Sequence, residues 1–169
     1  EHRPLLWILV LALAIRVTFL VVFQPWDQDV LRDKVLYGDA NDYHQRALGL
    51  VTDLPYNTFE PYKPPMYPIF LAALYAVTGS STTSVIAVQV LLNTITVLVV
   101  FLLGKELFRY RLSAYLGSLF YALSIFGAWW ALILLTETVF TLLFVLSIYF
   151  FVLAVKRRLL RNIVIAAFL

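Results

Sequence analysis

The chain has 169 residues, 62% of them hydrophobic and 14% charged, with a net charge of +3 and a mean hydropathy of +0.87. Soluble domains run near ~45–50% apolar and ~25% charged, and no soluble fold of this length buries so much apolar side chain, because small domains leave a large share of their surface in water. Gly 6, Pro 7 and Cys 0 exclude collagen-like, disordered and disulfide-stapled classes, and with them any thiolate metal site.

The apolar runs are long and lack period-two alternation, which predicts an all-α integral membrane protein and not a barrel. The first span is residues 4–23, whose twenty residues rise about 30 Å, one bilayer core. Pro4 suits a first helical turn. A signal peptide is the rival reading, but the apolar stretch is too long and no small-residue cleavage site follows.

Residues 24–65 are polar and turn-rich and hold seven of the ten acids: Asp27, Asp29, Asp33, Asp39, Asp42, Asp53 and Glu60. Gly38 breaks the chain, Asp39 can cap a helix over 39–51, and Asp42 is a first-turn acid favoured by the helix dipole. Tyr43, Ala47, Leu50 and Val51 form one apolar stripe on that helix. A short apolar helix follows at 66–77, closed by Gly79, and then further spans at 85–103, 112–132 and 137–155, with the start of a fifth at 160–169.

Short loops rich in Lys and Arg stay cytoplasmic. This puts Arg3 and residues 105–111 and 156–161 inside, and the acidic first loop and Glu137 outside. The twelve residues of 66–77 rise only ~18 Å, too little to cross. They are therefore expected at the outer surface as an interfacial helix. The expectation is four complete transmembrane helices and part of a fifth, with two juxtamembrane helices in a large outer loop. The chain begins Glu1, not Met, and ends in an apolar run too short to span. It is therefore expected to be the N-terminal part of a larger protein.

Chemistry is expected in the outer loop. Asp39 is placed to serve as a general base at the membrane surface, a role that needs hydrogen-bond reach to the acceptor's proton. Glu137, flanked by Leu135 and Val139, either marks the membrane edge or meets water or a partner. Arg16 lies about 10 Å below the outer end of its span. It either snorkels or pairs with a loop carboxylate or a lipid phosphate. Gln89, Asn93 and Thr96 form a polar stripe suited to inter-helix hydrogen bonds. Asp27-Gln28-Asp29 is a D-x-D spacing, which makes a divalent metal there an alternative. His44 reads as a surface polar residue. No P-loop, H-E-x-x-H or Ser-His-Asp constellation is present, and no soluble basic face suits nucleic acid.

These features follow one another in a fixed order. Arg16 stands in span one, then Asp39, Tyr43 and Ala47 in Asp-x-x-x-Tyr-x-x-x-Ala, then Lys63-Pro64-Pro65-Met66-Tyr67-Pro68, a short helix ending in Gly79, Gln89, a Lys/Arg loop, and Leu134-Leu135-Thr136-Glu137. The series resembles the N-terminal module of the GT-C membrane glycosyltransferases, which include protein O-mannosyltransferases and aminoarabinose and mannosyl transferases fed by polyprenyl-phosphate sugars. The resemblance covers nearly all of the chain. It implies an inverting sugar transfer from a polyprenyl-phosphate donor at the extracytoplasmic face, with Asp39 matching the catalytic Asp of the first outer loop and Glu137 a supporting acid. Asp39-Ala40 stands where the family often has Asp-Glu. Arg16, Asp42, Tyr43, Arg46, Lys63 and Tyr67 are then the substrate-binding candidates, with the arginines and Lys63 available to a phosphate leaving group. The competing expectation is a non-catalytic helical subunit or transporter fragment whose outer loop binds a partner or lipid.

Overall fold

The computed structural model describes residues 3–52, 64–157 and 160–169, all in helices and their connections. Lys63 lies outside the described residues, as do Asp53 and Glu60. Helix α1 (Arg3–Phe23) ends where Gln24 takes a left-handed φ of 51° ahead of Pro25. A short helix, α2 (Gln28–Val30), runs into a π-helical turn at Leu31–Val35. Next come α3 (Asp39–Thr52), α4 (Met66–Thr78) and α5 (Thr82–Leu107). Last are α6 (Arg111–Ala122), α7 (Ile125–Trp130), α8 (Glu137–Arg157) and α9 (Leu160–Phe168).

Three helices among the described residues, α1, α5 and α8, are long and apolar enough to cross a membrane. The predicted span over 112–132 is not one helix, and here the structure corrects the sequence. Ser124 accepts the Gly127 N–H at 3.1 Å and so starts α7 anew, two residues after α6 ends. A side-chain acceptor at that point competes with the helical backbone bond, as Ser does at helix starts.

Helix α4 has 13 residues and stops at Gly79, whose φ of +71° lets its N–H return to the Tyr75 carbonyl. Ser81 then caps α5 by accepting the Ser84 N–H at 3.2 Å. The largest buried cluster lies at this end of the molecule. It joins Tyr43 and Ala47 of α3, Tyr67, Leu71 and Tyr75 of α4, Val85, Ile86 and Val90 of α5, and Ala131, Leu132 and Leu134 of the segment before α8. At the other end, Glu106 pairs with Arg157 at 3.4 Å, and its carbonyl accepts from Lys156, which ties the ends of α5 and α8 together.

Helices α5 and α6 pack through Gly104, where an added Cβ would stand 2.8 Å from the Ala114 Cα. Backbone cannot yield there without moving a helix. Gly104→Ala is therefore expected to destabilise the protein by about 1–3 kcal/mol, read as a lower unfolding midpoint in detergent. An unchanged midpoint would show that the two helices do not meet at this glycine.

Candidate active site

Helix α3 carries four of the candidate residues. Its first intrahelical bond runs from the Asp42 N–H to the Gly38 carbonyl at 3.4 Å, so Gly38, with φ +59°, occupies the cap position. Asp39 is the first helical residue and not the cap, and its side chain is exposed beside the positive end of the helix dipole. Asp42 accepts from Arg46 Nε at 3.0 Å. Arg46 is almost fully buried at 1% exposed while Asp42 keeps 20%, so this pair holds a guanidinium in the interior while its acid touches the surface. The predicted apolar stripe is only half buried: Tyr43 and Ala47 face inward, whereas Leu50 and Val51 in the last turn stay exposed.

Helix α4 lies against α3 through rings. Tyr43 and Tyr67 meet edge to face with centroids 5.2 Å apart, and His44 meets Tyr75 the same way at 5.5 Å. His44 Nδ1 and the Tyr75 hydroxyl are 2.7 Å apart. This makes His44 an internal strut of the helix pair and not the surface residue expected. Burial pushes its imidazole below the ordinary value of 6.5. The folded state therefore resists charging it, and stability is fully present above about pH 6.5 and falls as the pH drops below that value. The melting temperature is expected to be lower at pH 5 than at pH 7.5, and His44→Asn is expected to shrink that difference. An equal difference in the variant would mean that His44 charges without penalty.

The Tyr67 phenol is pushed well above its ordinary value, first by burial and then by Tyr75, Glu137 and Tyr43. It stays protonated and donates to Gln89 Oε1 at 2.6 Å. The Gln89 amide donates in turn to the Ala131 carbonyl at 3.1 Å and the Ile133 carbonyl at 2.8 Å. Those carbonyls belong to the non-helical segment that leads into Glu137, the first residue of α8. One Glu137 carboxylate oxygen, Oε2, is buried and finds no hydrogen-bond partner among the described residues, and the same holds for Thr138 Oγ1. Glu137 lines a cavity of about 200 Å³ with Asn93, Tyr121, Ser124, Trp130 and Thr141. An apolar groove of about 400 Å³ runs beside it between α4 and α8, lined by Met66, Tyr67, Phe70, Val139 and Phe140.

Arg16 is not part of this surface, and neither snorkelling nor phosphate pairing describes it. It is fully buried. Its Nε donates to Asn93 Oδ1 at 2.6 Å, and its terminal nitrogens donate to the carbonyls of Ala12 at 3.0 Å, Ala122 at 2.8 Å and Tyr121 at 3.3 Å. Asp27 and Asp29 are likewise engaged elsewhere. Asp27 caps α2 by accepting two backbone N–H groups, and Asp29 pairs with Arg32 at 3.4 Å. No group of three or more metal-ligating side chains occurs among the described residues. Within the polar stripe of α5, Gln89 and Asn93 reach other helices, and Thr96, which donates to the Leu92 carbonyl of its own helix, also meets the Tyr121 hydroxyl of α6.

Gln89 is the connection that pattern reading did not place. Its position in the stripe marked an inter-helix bond, and besides the Tyr67 hydroxyl its partners are the backbone carbonyls of Ala131, at the end of the predicted span over 112–132, and Ile133, just beyond it. Comparison with curated proteins and with solved structures gives no match. The family model of the dolichyl-phosphate-mannose-protein mannosyltransferases matches residues 62–169, which takes in Tyr67, Gln89 and Glu137 and leaves α3 outside. With nearly two thirds of its length matched, the chain belongs to the dolichyl-phosphate-mannose-protein mannosyltransferase family, membrane glycosyltransferases of the GT-C type.

Proposed function

We propose that this chain takes a sugar from a polyprenyl-phosphate donor and passes it, with inversion, to an acceptor at the extracytoplasmic face, with Asp39 as general base. The N-terminus and the Lys/Arg loops are then cytoplasmic, and α3 and α4 lie on the outer leaflet. The observation that supports this reading is the exposed Asp39 carboxylate on α3, a helix linked through Tyr67 and Gln89 to the segment that leads into Glu137. Tyr43 joins α3 to Tyr67, and Tyr67 joins Gln89 and the segment that ends at Glu137.

In the proposed step the acceptor hydroxyl gives its proton to Asp39, and its oxygen forms a bond to the anomeric carbon. The bond from that carbon to the phosphate oxygen breaks, and polyprenyl phosphate leaves with the electron pair. A phosphate leaving group calls for stabilisation of charge more than for a general acid. Lys63 is the cation of the outer loop assigned to it, with Arg46, held by Asp42, contributing its charge from the interior; Arg16 is committed to Asn93 and backbone carbonyls. Glu137 supports the acceptor side from the cavity it lines.

The test is transfer of labelled mannose from a polyprenyl-phosphate donor to a polypeptide by membranes holding the full chain. Transfer that depends on this chain is the expected result. Saturable donor binding without transfer would instead make the protein a lipid-carrier scaffold, and neither binding nor transfer would favour a non-catalytic subunit.

A further inference from the structure

Gln89 is fully buried in a helix that crosses the apolar interior, and its amide spends three hydrogen bonds on two other parts of the chain. The segment it grips, between α7 and α8, is not helical, yet Ala131, Leu132 and Leu134 are fully buried. Irregular backbone survives in such surroundings only where the protein itself satisfies its polar groups. The Ala131 and Ile133 carbonyls receive that satisfaction from Gln89 Nε2. On its other side the amide oxygen takes the Tyr67 hydroxyl, and the Tyr67 ring rests edge-on against Tyr43.

We infer that Gln89 is a positioning residue, a clamp that sets the separation of Asp39 and Glu137 by fixing the segment before α8 to α4 and, through Tyr67 and Tyr43, to α3. A leucine at this place would fill space equally well and hold neither carbonyl. An amide is suited to the task because it offers two donors and an acceptor on one rigid plane. The consequence for sugar transfer rests on the roles proposed above for Asp39 and Glu137. The clamp itself does not.

The chain has no cysteine, so spin labels can be placed cleanly at Asn41→Cys on α3 and Phe140→Cys on α8, both exposed positions. In the full chain, Gln89→Met is expected to broaden and shift the distance distribution between these labels. Gly104→Ala, which weakens packing at the far end of the same helix, is expected to leave it as in the parent. Transfer by Gln89→Met without the labels should fall about 10–100-fold in kcat with little change in the donor KM, the pattern of misplaced reacting groups. An unchanged distance in folded Gln89→Met overturns the clamp, and an altered distance with unchanged kcat in an active protein overturns its consequence for transfer. Should Gln89→Met not fold, Tyr67→Phe removes one bond of the three and must still broaden the distribution. If Asp39→Asn keeps full transfer while the Gln89 variant alters the distance, the base assignment fails and the clamp stands.

Discussion

Asp39→Asn is expected to lower sugar transfer about 100- to 10,000-fold, the range for loss of a positioned general base, while the protein still inserts and folds. The separation of activity from stability follows from where the residue sits. Asp39 is exposed at the first position of α3, where a carboxylate gains about 0.3–1 kcal/mol from the helix dipole and Asn retains the side-chain oxygen. Asn keeps the shape and a hydrogen-bonding oxygen but cannot take the acceptor's proton. Asp42→Asn should behave in the opposite way. It removes the charge that faces the nearly buried Arg46, and so it is expected to cost stability first, about 1–3 kcal/mol. Measured side by side, kcat per folded molecule should collapse for Asp39→Asn, and the unfolding midpoint should drop for Asp42→Asn. Parent-like transfer by Asp39→Asn would remove the proposed mechanism whatever the stability data show.

Long apolar runs left little choice but helices across a bilayer, and α1, α5 and α8 were legible from length and hydropathy alone. So was the halt of α4, because the twelve residues 66–77, followed by Thr78 and Gly79, are too few to cross and end in a left-handed turn. The break between α6 and α7 was not legible. Residues 112–132 carry no charge after Leu112, and the serine that restarts the helix is one polar residue among many apolar ones. The break is also braced by a guanidinium more than a hundred residues earlier, which donates to the Tyr121 and Ala122 carbonyls at the end of α6. Sequence pattern reports on neighbours along a helix and is blind to such a partner. The same blindness explains Arg16 itself. A lone arginine in a span announces a polar environment, but pattern cannot tell an outer-leaflet phosphate from the end of another helix. For the site, the types and order of Asp39, Tyr43, Tyr67 and Glu137 were visible as a series, whereas the hydrogen bonds of Gln89 that join them exist only in three dimensions.

Arg16→Leu is expected to destabilise the protein by about 2–6 kcal/mol, the cost of leaving two buried acceptors without their donor. Leucine is the better residue for a bilayer span by transfer alone, so the sign of the effect tests what the arginine does. With the guanidinium gone, Asn93 Oδ1 and the Ala122 carbonyl lose the donor that Arg16 gives them, while the Tyr121 carbonyl keeps the Ser124 N–H at 3.1 Å, and each buried acceptor left unpaired costs about 1–3 kcal/mol. Those two carbonyls are the end of α6, so the loss should fall on the junction with α7 and on the cavity that Tyr121 and Asn93 share with Glu137. Arg16→Lys should recover part of the stability. Its ammonium keeps the charge and three donors but lacks the planar fork that here reaches Asn93 on one side and two carbonyls on the other. No carboxylate pairs with Arg16 among the described residues, so salt should change the stability difference little. Thermal unfolding in detergent reads the effect directly, with transfer normalised to folded protein as the second axis. If Arg16→Lys kept full stability and instead raised the donor KM, Arg16 would be a phosphate ligand after all, and the bracing of the α6 end would be incidental.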